Sequence, residues 1–193
     1  MKRTVRWRIV VLYDHERSRA TLRAAILAAG GEVVGEATRC ADALESVRDS
    51  RADVGIFAVG LGDGDGVDVA AEVIAGGCPV VLFTSHTGDE LVERARAAGV
   101  MAFLVKPLRP AELLPAVDLA IARFRETQTL RQRLDERKLV ERAKGILMAR
   151  SGLSEDQTYR HLRRTAMDRR IPMAEVAREV LASESLLINL PTP

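Results

Sequence analysis

The chain contains few cysteines, histidines and aromatic residues, and it has no long uninterrupted apolar run. Its two cysteines, Cys40 and Cys78, and its three histidines lack the spacing of a metal-binding motif. We therefore expect no metal site, no cofactor, and two thiols kept reduced in the cytoplasm. We also expect no membrane span, and the first residues do not have the form of a cleaved signal peptide.

Charge is unevenly distributed along the chain, although the net charge is only +2. Residues 125–193 hold 14 Lys and Arg against 10 Asp and Glu, whereas residues 1–124 hold 15 against 17. A net basic carboxyl-terminal third indicates a nucleic-acid partner, which the charge of the whole chain would not suggest.

Residues 7–125 alternate short apolar runs with amphipathic stretches. Strands are predicted at 8–12, 32–35, 54–58, 80–83 and 103–105, and helices at about 18–29, 40–50, 67–75, 89–97 and from 110 onward. This order predicts an α/β fold, with a five-stranded parallel, doubly wound sheet and helices on both faces. Ligands of such sheets bind beyond the carboxyl ends of the strands. That face would gather Tyr13, Asp14, His15, Ala58, Thr84, Ser85 and Lys106.

This pattern resembles the receiver domain of two-component response regulators over residues 8–123. Thr84 matches the receiver hydroxyl, and Lys106 with the proline after it matches the receiver Lys-Pro pair. The resemblance implies two acidic residues after the first strand that hold magnesium, and an aspartate after the third strand that accepts phosphate. Here the acidic pair reads Tyr13-Asp14, and Ala58 occupies the acceptor position.

These departures predict a pseudo-receiver that cannot be phosphorylated. Alanine has no nucleophile, and a lone Asp14 makes a weak Mg²⁺ site. Asp63 and Asp65 are alternative acceptors, but a Gly-rich loop would not hold them in line with Lys106. We expect Lys106 to pair with Asp14, and the domain to bind a second copy, a regulatory protein or a small-molecule signal.

The carboxyl-terminal third predicts three short helices around one small core. Gly152 would end the first helix, and Ser154 to Gln157 has the form of a capping box that starts the second. Pro172 suits the first turn of the third helix. The predicted core positions are Val140, Ala143, Leu147 and Met148, then Tyr159, Leu162, Ala166 and Met167, then Met173, Val176, Ala177 and Val180.

Residues 137–182 resemble the ANTAR domain of bacterial transcription antitermination regulators. The matching positions are Ala143-Lys144-Gly145, Leu147-Met148, Gly152, Ser154-Glu155, Tyr159, Leu162-Arg163 and Ala166-Met167. The resemblance implies recognition of paired RNA hairpins whose loops present unstacked bases. Cations fix phosphates, and aromatic or guanidinium planes stack on such bases. The predicted RNA contacts are Lys138, Arg142, Lys144, Gly145, Tyr159 and Arg163; the alternative is an ordinary solvated face.

Residues 124–136 would form a helical linker rich in charges of both signs. Gln128, Leu130 and Leu134 continue a broken heptad, which predicts a coiled coil and a homodimer. A solvated single helix is the alternative.

Together these features predict a non-enzymatic cytoplasmic regulator that binds hairpin loops in leader mRNA and prevents transcription termination. No nucleophile, base and orienting group occur together. A DNA-binding response regulator is a second hypothesis, although the acidic start of the second helix, Ser154-Glu155-Asp156, suits a DNA groove poorly. A protein-interaction adaptor is a third.

Overall fold

The structure is a computed structural model that describes residues 7–188, with side chains up to residue 183. The chain divides into two compact units, one up to Glu126 and the other from Thr127. None of the described helices is both long enough and apolar enough to cross a membrane.

The first unit is built on a five-stranded parallel sheet with the order β2-β1-β3-β6-β7. In chain order the strands are β1 (Arg8–Leu12), β2 (Glu32–Ala37), β3 (Val54–Ala58), β4 (Gly60–Leu61), β5 (Gly64–Asp65), β6 (Val80–Thr84) and β7 (Ala102–Val105). The helices are α1 (Glu16–Ala28), α2 (Cys40–Ser50), α3 (Gly66–Ala75), α4 (Asp89–Ala97) and the beginning of α5 (Pro110–Ser151). The predicted doubly wound fold is confirmed.

Alternate side chains of the strands enter two apolar layers, one on each face of the sheet. Ile9 and Val11 pack in a layer with Leu22 of α1 and Val117 of α5. Val10 and Leu12 belong to the opposite layer, together with side chains from α2 and α3. Every residue of β3 and β6 is buried. Covering on both faces explains why these strands read as continuous apolar runs.

The Gly-rich segment after β3, expected to be a loop, forms a small antiparallel hairpin from β4 and β5. Asp63 at its tip accepts a hydrogen bond from the backbone N–H of Cys40 at 2.9 Å, and Asp65 caps α3 by accepting from Val67 N–H at 2.7 Å. A Cβ at Gly66 would lie 1.8 Å from the carbonyl oxygen of Ala58, so only glycine fits there. The segment is therefore an ordered connection.

The second unit contains α5 from Thr127, α6 (Glu155–Arg169) and α7 (Met173–Ile188). Its core is formed by Val140, Ala143, Leu162, Ala166, Val176 and Ala177. Gly152 has a positive φ of 64° directly after α5. Ser154 and Gln157 make the reciprocal bonds of a capping box at the start of α6. The predicted three helices and both of these end signals are confirmed.

The buried stripe of α6 differs from the prediction. Thr158, Leu162 and Ala166 are buried, whereas Tyr159 is 41% exposed and Met167 is 67% exposed. The expectation that Tyr159 and Met167 pack in the core was therefore wrong. Thr158 tolerates full burial because its hydroxyl donates to the carbonyl oxygen of Ser154 at 2.9 Å.

The predicted linker, residues 124–136, is helical throughout and lies within the single helix α5, with Pro115 accommodated near its start. Phe124 is buried in the first unit, while Leu130 and Leu134 are each more than half exposed. Coiled-coil pairing through these two leucines stays a prediction.

Candidate nucleic-acid interface and receiver face

The predicted receiver face lies at the carboxyl ends of the parallel strands. Tyr13 and Asp14 follow β1, Ala58 ends β3, Thr84 ends β6 and Lys106 follows β7. Ala58, which was predicted to occupy the acceptor position, is buried and has a small side chain without a polar group.

Lys106 contacts Tyr13 instead of the expected Asp14. Its ammonium donates a hydrogen bond to the Tyr13 hydroxyl and lies 4.9 Å from the centre of that ring and 5.2 Å from the centre of the Phe83 ring. Asp14 accepts a hydrogen bond from the backbone N–H of Gly62 at 3.0 Å. The prediction that Lys106 pairs with Asp14 is therefore wrong. The Tyr13 hydroxyl and the faces of the Tyr13 and Phe83 rings hold this lysine, and it has no ion pair among the described residues.

The receiver face does not fit a magnesium ion. Mg²⁺ needs several oxygen ligands in a near-octahedral arrangement, and Asp14 is the one carboxylate that follows β1. The Thr84 hydroxyl donates to the carbonyl of His86 at 2.9 Å. Asp65 is held by Val67 N–H and, at 2.7 Å, by Arg94. Across residues 7–183 no group of three metal-binding side chains comes together.

Both thiols are free and are held in their protonated form. Burial is the main cause that raises the pKa of Cys78 to about 12 and that of Cys40 to about 11, with the carboxylate of Asp63 adding to the effect at Cys40. The thiolate is the nucleophilic form of cysteine, so neither residue is activated for chemistry at neutral pH.

In the helical unit, Lys144 does not have the exposed position expected of an RNA contact. Its side chain is only 8% exposed, and its ammonium donates to Glu141 at 2.8 Å and to Glu155 at 2.7 Å. The hydrogen bonds to Glu141 and Glu155 raise the pKa of Lys144. Because Glu155 opens α6, this cation ties α5 to the first turn of α6. Lys144 is therefore placed to hold the two helices together.

Lys138, Arg142 and Gly145 are exposed and share one face of α5. With about 100° of rotation per residue, this face lies opposite the buried Val140 and Ala143. A Cβ at Gly145 would meet no atom within 4 Å, so packing does not require glycine and a ligand backbone can approach closely.

Tyr159 and Arg163 lie on the exposed flank of α6, one turn apart. Tyr159 borders a groove of about 400 Å³ between α5, α6 and the start of α7. The groove is lined by Arg133, Glu136, Arg137, Val140, Glu141, Tyr159, Pro172, Met173 and Ala174. The structure thus brings Tyr159 together with Arg133 and Arg137, and it does not bring it together with Lys138, Arg142 or Gly145.

Arg133 and Arg137 were not among the predicted RNA contacts, because Arg133 lies in the segment interpreted as a linker and Arg137 directly follows it. Arg133 and Arg137 precede Glu141 by eight and four residues, so the sequence alone could have shown that all three lie on one face of the helix. Neither arginine has an ion pair within 4 Å in the part of the chain that the structure describes.

Comparisons with known proteins agree with both units. The family profile described as "Response regulator receiver domain" matches residues 9–118, and the profile described as "ANTAR domain" matches residues 128–181. The chain is 40% identical over 182 residues to the transcriptional regulatory protein PdtaR of Mycobacterium tuberculosis strain H37Rv, which covers 90% of this chain and 89% of PdtaR.

Solved receiver structures resemble the first unit. The signal receiver domain of a modulated diguanylate cyclase from Desulfovibrio desulfuricans G20 aligns with a TM-score of 0.58 and 27% identity, covering 63% of this chain and 98% of that one. The signal receiver domain of the response regulator NarL from Mycobacterium tuberculosis aligns with a TM-score of 0.53 and 33% identity, covering 58% and 93%.

Replacing Lys144 with methionine should loosen the junction of α5 and α6, because Glu141 and Glu155 would face each other without a cation. Hydrogen exchange followed by mass spectrometry should show faster exchange around residues 140–160. Lys138→Met is the matched control, since this lysine is exposed and its ion pair among the described residues is the one with Asp135 at 3.6 Å. Equal exchange in the two variants would contradict the assigned role of Lys144.

The same junction should depend on pH in one direction. Because the folded pKa of Lys144 is raised above its ordinary 10.5, its contribution is complete below 10.5 and is lost as pH rises through the raised value. The difference in thermal unfolding temperature between wild type and Lys144→Met should therefore shrink above that pH. A difference that stayed constant would rule out the ion pair as its cause.

Proposed function

Because the chain belongs to the response regulators that join a receiver domain to an ANTAR domain, a class of non-enzymatic transcription regulators, we propose that it binds hairpin loops in leader mRNA. The observation that carries this proposal is the half-exposed ring of Tyr159 beside Arg133 and Arg137 in the ANTAR unit. An exposed ring with neighbouring cations suits an unstacked base and its phosphates.

Further phosphate contacts are assigned to exposed cations outside the groove. Lys138 and Arg142 lie on the outer face of α5, with Gly145 leaving room for a nucleotide backbone, and Arg163 lies one turn beyond Tyr159. Contacts of this kind supply affinity and register without reading sequence. Lys144 acts indirectly, by holding α5 against α6.

Antitermination follows from binding alone. A leader transcript folds either into a terminator hairpin or into an alternative, and a protein with higher affinity for the alternative shifts the population toward it. Polymerase then continues. Only the difference in affinity between the two RNA folds sets the output, so the protein needs no catalytic group.

The receiver-like unit is proposed to control the ANTAR unit without phosphate. Ala58 offers no nucleophile, and Lys106 is occupied by Tyr13 and Phe83. A regulatory protein or a small-molecule signal would then supply the input. The proposed boundaries are a pseudo-receiver at 8–123, a helical linker at 124–136 and the RNA-binding domain at 137–182.

RNA binding is tested by gel shift of the full chain with a hairpin that carries an unpaired loop. Arg142→Ala and Arg163→Ala should each weaken binding and reduce the slope of log affinity against log salt by about 1. Arg48→Ala, which removes an exposed charge from α2 of the other unit, is the matched control. Equal affinity for duplex DNA would favour the DNA-binding hypothesis, and no nucleic-acid binding at all would favour an adaptor.

Incubation with acetyl phosphate and Mg²⁺ should leave the mass of the protein unchanged, because the acceptor position cannot form an acyl phosphate. A phosphorylatable receiver in the same reaction serves as the positive control. A hydroxylamine-sensitive phosphate on residues 8–123, located by mass spectrometry, would refute the pseudo-receiver proposal.

Homodimerisation is proposed to use the exposed Leu130 and Leu134 of α5. Sedimentation equilibrium should report a dimer for wild type, and Leu130→Glu together with Leu134→Glu should shift it toward monomer. Leu27→Glu on α1, where leucine is also half exposed, controls for adding charge to the surface. A wild-type monomer would remove this part of the proposal.

A further inference from the structure

We propose that the groove beside Tyr159 holds one unpaired nucleobase that carries an exocyclic amino group, adenine, cytosine or guanine, and excludes uracil. This inference rests on the proposed RNA-binding function. It adds the groove as the reading site, with the ring of Tyr159 as the stacking surface, the two arginines as phosphate ligands, and Glu136 and Glu141 as the acceptors that select the base.

The size and lining of the groove suit a single base. Its volume of about 400 Å³ lies within the range of about 300–1,000 Å³ that small-molecule sites occupy. Val140, Met173 and Ala174 give it an apolar lining, and all three belong to buried or partly buried positions of the helical unit. Tyr159 keeps 41% of its surface exposed, so part of its ring remains open for stacking.

The two arginines are placed to hold the phosphates on either side of that base. Arg133 and Arg137 are one turn apart on α5, so their Cβ atoms lie about 6 Å from each other. Of the two nearby carboxylates, Glu136 accepts from the amide of Gln132 at 2.9 Å and Glu141 accepts from Lys144. Both guanidinium groups, which bind phosphate in a bidentate manner, are thus left without an ion pair in the described residues.

The two glutamates are otherwise unexpected in a site for a polyanion, and they explain how the base would be selected. An ionised carboxylate only accepts hydrogen bonds. Adenine, cytosine and guanine each offer an exocyclic amino group as a donor. Uracil offers only its ring N3–H, which lies between two carbonyl oxygens that a carboxylate repels. One oxygen of each glutamate, Oε2 of Glu136 and Oε1 of Glu141, has no hydrogen bond among the described residues.

Lys144 fixes the orientation of Glu141 in this arrangement. Its ammonium bonds Glu141 and Glu155 at once, so the carboxylate on α5 is held toward the helix that carries Tyr159. A second small depression is lined by Lys144, Glu155, Asp156 and Tyr159, which places this clamp beside the ring. Lys144 therefore supports the site without touching the base.

Fluorescence anisotropy of the full chain with a hairpin set provides the test. The loops are all uridine except for one position, which holds A, C, G or U in turn. Wild type should bind the best A, C or G loop at least about fivefold more tightly than the all-uridine loop, since one carboxylate–amino contact discriminates by about 1–3 kcal/mol. Glu141→Gln should reduce this ratio, because an amide can also donate to uracil.

Tyr159→Ala should lose roughly tenfold affinity or more for the preferred loop, while Tyr159→Phe and the exposed control Met167→Ala retain it.

A base analogue locates the contact directly. With 2-aminopurine at each loop position in turn, one position should change its emission on binding wild type, and Tyr159→Ala should abolish that change. Hairpin binding that is unaltered in Tyr159→Ala, or that is equally tight for all-uridine loops, would overturn this inference and leave the proposed function standing. Failure of wild type to bind any hairpin would overturn both.

Discussion

The ammonium of Lys144 between Glu141 and Glu155 is the interaction on which the helical unit depends most. A buried cation is costly unless it is paired and hydrogen-bonded, and here two carboxylates compensate it while each remains at least half exposed to water. This pairing joins the first turn of α6 to α5. Tyr159 follows Glu155 by one turn, so the same pairing lies close to the ring that borders the groove. The same ion pairs therefore contribute to the stability of the helical unit and lie beside the candidate interface.

A second lysine, Lys106, is held without any carboxylate among the described residues. Lys106 follows β7, at the place that matches the receiver Lys-Pro pair, and its neighbours are the hydroxyl of Tyr13 and the faces of the Tyr13 and Phe83 rings. Ring faces attract a cation with less energy than a carboxylate does, but they order it without requiring a metal or a phosphoryl group. The unit keeps the receiver fold because its two apolar layers are independent of the chemistry at the strand ends. The side chains at the strand ends can therefore change without altering the sheet.

Signals that act within a few residues made much of the fold predictable from sequence. The apolar strands, Gly152 and the Ser154–Gln157 capping box are of this kind, and each was found where the sequence indicated it. Tyr159 and Lys144 were misplaced because their burial depends on tertiary contacts. By residue type, an aromatic ring is expected in a core more often than a threonine, and a lysine is expected at the surface. Here Thr158 is buried because its hydroxyl bonds to its own helix, and Lys144 is buried because its ammonium bonds carboxylates on two helices. Arg133 and Arg137 escaped notice because the groove exists only once α7 packs beside α5.

Gly66 is required by the backbone around it. Any side chain there would collide with the carbonyl of Ala58, so the residue is required by the crossing of two backbone segments and not by the reaction that receivers perform. A glycine is therefore expected here in any receiver fold with the same backbone path, whether or not that receiver accepts phosphate. This glycine therefore indicates the backbone fold. Only the side chain at the end of β3 indicates whether phosphotransfer is possible.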